Sequence, residues 1–138
     1  MLGSIAIQLA KLHGCKVFTT VSSSKYDYVK QLAPDTIINY QTEDVDKKLA
    51  DLTDGLGIDL IIDTVGKKEA ELDLWRLAYN GRLVTIVDVP SLDNVPMFDR
   101  GLGIDVVNLG GAHLSGNPNQ QADLGRMNAE MLKLIANG

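Results

Sequence analysis

The chain has 138 residues, 45% hydrophobic and 22% charged, which suits one ordinary domain with a single core. Its formal net charge of −5, with acidic and basic residues interspersed, excludes a basic nucleic-acid footprint, and no apolar run approaches the ~20 residues of a membrane span. Cys15 is the single cysteine, so no internal disulfide forms, and one cysteine with two histidines writes no convincing zinc set. The N-terminus lacks a charged leader and a small-residue cleavage site, so a cytoplasmic location is expected.

The opening residues read as a helix, with Ile5, Leu9 and Leu12 at helical spacing and Ala6 and Ala10 alongside. His13-Gly14 ends it, because glycine takes the left-handed conformation of a C-terminal cap. Lys16–Val21 is β-branched and aromatic, as strands are. A short helix follows over Tyr26–Leu32, with Tyr28, Val29 and Leu32 inward, stopped by Ala33-Pro34. Thr36–Tyr40 reads as a strand and Glu43–Thr53 as an amphipathic helix with Val45, Leu49 and Leu52 on one face. Ile58–Val65 is the most apolar strand, of the kind buried on both faces of a parallel sheet, and Gly66 closes it. A helix over Lys67–Tyr79, a strand over Arg82–Val87, a long loop over Asp88–Gly103 and a strand over Ile104–Leu109 come next. Asn117-Pro118 opens a last helix that runs from about Gln120 to Ala136. This strict alternation with short links predicts an α/β fold, a doubly wound parallel sheet with right-handed crossovers.

In such sheets ligands bind outside the carboxyl ends of the strands, and four groups stand there. Gly3 and Ser4 open the first helix, where backbone N–H groups favour a phosphate; a plain helix start explains them as well. Ser22-Ser-Ser-Lys25 offers hydroxyls and a cation where NAD-binding folds usually place an acidic residue, and Asp27 is the first acid to follow. That set suits a 2′-phosphate, or equally a capping serine with a solvated lysine. Asp63-Thr-Val65-Gly66 is either a close backbone approach to a ligand or a simple strand-to-helix turn. Asp88, after the next strand, is either a ligand contact or a solvated loop aspartate. His13 reads as a cation near a helix C-terminus, His113 as a loop residue without a partner, Cys15 as buried and inert, and Trp75 as a core or interface residue. No nucleophile elbow or Walker loop occurs.

The stretch Gly3-Ser-Ile-Ala-Ile-Gln-Leu-Ala-Lys-Leu-His-Gly-Cys-Lys-Val17, then Ile38-Asn-Tyr-Gln-Thr-Glu-Asp44, Gly57-Ile-Asp-Leu-Ile-Ile-Asp-Thr-Val-Gly66 and Gly81-Arg-Leu-Val84, resembles the cofactor domain of medium-chain dehydrogenases/reductases. The resemblance is to the quinone-oxidoreductase and zinc-type alcohol-dehydrogenase-like branch, in the same order and over nearly the whole chain. It implies a Rossmann domain that binds NADPH. Gly3 matches the last glycine of the phosphate-binding loop. Lys25 and Tyr40, with Ser22 beside them, match the grip on the adenosine 2′-phosphate. Val65 and Gly66 match backbone lining the ribose. Asp88 matches a position near the nicotinamide, although Val87 stands where relatives often have glycine.

The resemblance also implies a Rossmann-like sheet lacking its first, central strand and its glycine-rich loop, so that residues 1–138 form a partial NADP-binding domain without the catalytic domain. NADP binding by this chain is then expected to be weak or lost. The activity implied is that of a truncated cofactor-binding domain of an NADPH-dependent oxidoreductase, which in the intact family passes hydride to a quinone, enone or carbonyl substrate. The alternative is a non-catalytic dimerising or assembly module, or a gene fragment without function. No catalytic or metal-binding residue is named. Strands Lys16–Val21 and Ile58–Thr64 would lose a shared neighbour, so they are expected either to pair directly or to have another chain fill the gap. A homo-oligomer through that gap, or through the sheet edge at Ile104–Leu109, is the expected assembly.

Overall fold

Parallel strand pairing is present, but it is divided between two sheets. The computed structural model describes residues 2–137, and the chain separates into two compact units with the break after Val106. The first unit opens with helix α1 (Leu2–Leu12), strand β1 (Phe18–Val21), a 3-10 turn (Ser23–Lys25), helix α2 (Tyr26–Lys30) and strand β2 (Thr36–Asn39). It continues with helix α3 (Val45–Leu52), strand β3 (Ile58–Asp63), helix α4 (Lys68–Arg76), strand β4 (Leu77–Thr85) and strand β5 (Gly103–Val106).

Helix α1 ends in a Schellman motif, with Gly14 at φ +74°, its N–H on the Lys11 carbonyl and the Cys15 N–H on the Ala10 carbonyl. The residue of α1 that is buried in the core is Ile7, not one of the apolar set read at helical spacing. Ile7 is buried with Val17, Val21 and Val29, while Ile5 and Leu12 are 43% and 63% exposed. Apolar residues occupy much of the helix circumference, and the small two-stranded sheet covers only one stripe of it. Beyond the turn, the Asp35 carboxylate accepts from the Val17 N–H at 2.7 Å and from Lys11 Nζ at 2.9 Å, which ties α1 to the start of β1.

Strands β1 and β2 pair in parallel, with Phe18 opposite Thr36 and Val21 opposite Asn39. Strands β3, β4 and β5 form a second parallel sheet, in that order. Of the two alternatives expected for the first and third strands, direct pairing or a gap filled by another chain, direct pairing is not formed: β1 pairs with β2 and β3 with β4, which leaves β1 and β3 as edges of separate sheets. Strand β3 is also not buried on both faces. Ile61 packs against the core of Leu74, Leu77, Leu83 and Leu102, whereas Leu60 and Ile62, on the opposite face by the twofold strand period, are 52% and 41% exposed.

Helix α4 stops three residues earlier than the pattern predicts, because Leu77 is extended (φ −65°, ψ 147°) and already pairs with Ile58. The register then jumps, from Ile58 opposite Leu77 to Leu60 opposite Arg82, so Tyr79-Asn80-Gly81 bulge out of β4. The Asn80 N–H is taken up by the Arg100 carbonyl at 2.8 Å, and the Arg100 guanidinium reaches the Leu77 carbonyl. Asp88–Gly103 is irregular apart from the first residue of β5, as expected of a long loop. Cys15, expected to be buried, is exposed at the helix end, and Tyr28, expected inward, is 52% exposed, since α2 is too short to turn more than Val29 into the core.

The second unit holds helix α5 (Gly111–Leu114) and helix α6 (Pro118–Ala136). The last predicted strand stops at Val106, and His113, read as a loop residue, lies in α5. The Asn117 side chain caps α6 by accepting from the Asn119 N–H, with Pro118 in the first turn. Neither helix buries a described residue.

Candidate functional site

The parallel register brings the carboxyl ends of the strands into two groups. At the ends of β1 and β2, the Tyr40 N–H continues the ladder to the Val21 carbonyl at 3.1 Å, so the residues after each strand leave side by side. The Ser23 N–H donates to Gln41 Oε1 at 2.9 Å, and Asn39 Nδ2 donates to Ser23 Oγ at 2.8 Å. Ser22 Oγ and Ser24 Oγ lie 3.1 Å apart, and the Lys25 N–H closes the turn on the Ser22 carbonyl. Ser22, Lys25 and Tyr40, predicted from positions far apart in sequence, are thus held on one rim. Among the described residues Lys25 makes no ion pair. The nearby Glu43 is already committed: the Asn39 N–H and the Lys48 ammonium hold its carboxyl below the usual range.

At the ends of β3 and β4 the arrangement is made of backbone. The Asp63 carboxylate, 3% exposed, accepts from the Val65 N–H at 3.0 Å and the Gly66 N–H at 2.8 Å, an Asx-type turn. Gly66 has φ +79°, and a Cβ there would stand 2.9 Å from Val87 Cγ1 and 3.6 Å from Asp88 Cβ. Only glycine meets both demands. The buried Thr85 hydroxyl donates to the Asp88 carbonyl, and Asp88 Oδ1 accepts from the Val89 N–H. Val65, Gly66 and Asp88 are therefore also neighbours. Gly3 lies in the first turn of α1, and a Cβ there would meet nothing within 4 Å.

Asn39 and Gln41 were not foreseen, because a strand-end polar residue gains a role only once its neighbour is known. Asp63 stands in the Asp63–Gly66 group named from the sequence, and its spacing to Gly66 is the signature of an aspartate bonding its own backbone. A third cluster also escapes the pattern. Arg76, on α4, donates to Asp73 at 2.8 Å, to Asp46 of α3 at 2.6 Å and to Glu69. Burial pushes the Asp73 carboxyl up to about 6 against the pull of Arg76, and the charges of Glu69 and Asp63 add to the rise.

Two shallow clefts, of about 380 and 320 Å³, lie elsewhere, one beside Trp75, Glu71 and Asp93 and the other between α5 and α6. Neither is lined by a predicted site residue, so the candidate site is an open rim rather than an enclosed pocket. Among the described residues no three His, Cys, Asp or Glu side chains gather as a metal-ligand set. No described helix is long and apolar enough to cross a membrane.

The family model for zinc-binding dehydrogenases matches residues 2–126. Trans-enoyl reductase ACTTS2 of Alternaria alternata is 30% identical over 97 residues, covering 70% of this chain and 28% of that protein. Dehydrogenase FUB6 of Gibberella moniliformis is 36% identical over 86 residues, covering 61% of this chain and 24% of its own length. The chain spans about a quarter of the length of these curated relatives. The quinone oxidoreductase of Pseudomonas syringae pv. Tomato DC3000 superposes with a TM-score of 0.79 at 30% identity, over 99% of this chain and 42% of that one. With the parallel sheets and their shared strand ends, these likenesses show that the chain belongs to the zinc-binding dehydrogenase family, a quinone-oxidoreductase-like member of the medium-chain dehydrogenases/reductases that matches part of their dinucleotide-binding Rossmann-like fold.

Proposed function

We propose that the chain is the cofactor-binding part of an NADPH-dependent oxidoreductase that reduces an enone, quinone or carbonyl compound. The observation that carries this reading is the rim at β1 and β2: Ser22, Lys25 and Tyr40 follow neighbouring strand ends, the lysine has no ion-pair partner among the described residues, and Glu43 is held by the Asn39 N–H and Lys48. An NAD-selective rim needs a carboxylate to accept from a ribose hydroxyl; a cation and hydroxyl donors suit a 2′-phosphate. Lys25 and Ser22 would hold that phosphate, Tyr40 would lie beside it, and Val65, Gly66 and Asp88 would meet the sugar and nicotinamide side. The bound dinucleotide supplies hydride.

Titration with NADPH and with NADH, read by nicotinamide fluorescence, tests the reading. Tighter binding of NADPH, with the preference lost in Lys25→Ala, is the expected result; equal binding of both dinucleotides, or of neither, refutes it.

A second reading, an assembly module, is favoured by the half-exposed Leu60 and Ile62 on an edge strand and by Val106, 57% exposed, on the edge strand β5. Sedimentation over a wide concentration range separates the two: a dimer that survives dilution without nucleotide favours assembly.

A further inference from the structure

We propose that Asp63 is a positioning residue for the dinucleotide, acting through the Val65–Gly66 backbone rather than by touching the ligand; this rests on the cofactor-binding reading above. Its two carboxylate oxygens are used separately, Oδ1 on the Val65 N–H and Oδ2 on the Gly66 N–H. Only an ionised carboxylate accepts at both atoms. An asparagine of the same shape keeps one of these bonds and sets an N–H₂ donor against the other N–H. The paired bonds bend the chain at the end of β3 and hold Gly66 in its left-handed conformation, against the Val87 side chain. The Thr85 hydroxyl fixes the opposite lip through the Asp88 carbonyl.

The lips themselves are open, with Val65 66% and Val87 56% exposed, although the carboxylate that sets them is buried. That buried charge does not serve the apolar core, which is Leu74, Leu77, Leu83 and Leu102 with the side chains packed on them. What it determines is the path of the exposed Val65 and the buried Gly66 at the mouth of the sheet. The rim at Ser22, Lys25 and Tyr40 belongs to the other sheet and shares no hydrogen bond with Asp63.

That separation supplies the test. NADPH spans both strand-end groups, whereas adenosine 2′,5′-bisphosphate reaches only the Lys25 rim. Both are titrated against the full chain and against Asp63→Asn. The expected result is a loss of about tenfold in NADPH affinity, the scale of one charge-assisted hydrogen bond, with bisphosphate affinity unchanged. A variant that binds NADPH as the wild type does, or that loses both ligands equally, overturns the proposal; the second pattern is that of a purely structural residue. Binding of neither ligand by the wild type overturns the cofactor reading and this one with it. Should Asp63→Asn fail to fold, Gly66→Ala displaces the same turn by pressing a Cβ on Val87, and the same split is expected; its absence is equally fatal.

Discussion

The two strand-end groups are built on opposite principles. At β1 and β2 the chemistry lies in exposed side chains, joined by hydrogen bonds among Ser23, Asn39 and Gln41 over a small core of Ile7, Val17, Val21 and Val29. At β3 and β4 it lies in the backbone, shaped by a buried carboxylate and a glycine, close to the larger leucine core. A rim of the first kind can change its ligand by one substitution with little effect on folding. A turn of the second kind cannot change without strain. On the cofactor-binding reading proposed above, selectivity between dinucleotides is a property of the first group, and the shape of the mouth a property of the second.

The sharpest way to break this contrast is in the leucine core. Leu83→Ala, at a residue with no exposed surface, is expected to cost about 2–5 kcal/mol in urea unfolding, the range for a truncated core leucine. Next comes Arg76→Ala. It leaves Asp73, buried apart from 7% of its surface, without its counter-charge and unlinks α3 from α4; the expected cost is about 3 kcal/mol, the low end for a broken buried pair.

Asp73 itself gives a pH dependence of defined sign. Its carboxyl is raised from 3.8 to about 6 in the folded chain, chiefly by burial, so the native state holds the proton more tightly than the unfolded one. Its contribution to stability is full below pH 4 and is lost as the pH rises to about 6, about 2–3 kcal/mol in all. Asp73→Asn should remove that loss, so the difference between variant and wild type in urea unfolding should grow from pH 4 to 6 and then level. Asp35 and Glu43 run the other way. Backbone N–H bonds first, and lysines second, hold both below their ordinary values, so their contribution is present at neutral pH and is lost on acidification. The smallest stability change is expected at Lys25→Ala, under about 0.5 kcal/mol for an exposed side chain, although that substitution should abolish the preference for NADPH. A large loss of stability there would show that the exposed rim is structural and would remove the contrast between the two groups.

Much of this architecture was legible in the chain. The Gly14 stop and the Asn117-Pro118 start of α6 are local, and local chemistry decides them. The grouping of Lys25 with Tyr40 is what the resemblance implies, and the register shows that β1 and β2 end side by side. The end of α4 was misread because Leu77, Ala78 and Tyr79 carry a pattern that suits helix or strand, and pairing with β3 settles it. The spacing of Ile5, Leu9 and Leu12 marks an apolar stripe on α1 but does not say which part of it a neighbour covers, and Ile5 and Leu12 stay exposed.

The order of helices and strands, the glycine at Gly66 and the absence of an acid in Ser22–Lys25 are properties of the sequence itself, since each depends on residue type and short-range spacing. Which strands pair, which face of α1 and β3 is covered, and how Arg76 gathers Asp46, Glu69 and Asp73 were decided only by tertiary structure. Those outcomes depend on residues as many as 30 positions apart, from Asp46 to Arg76, and on competition for a limited apolar surface that no local window contains.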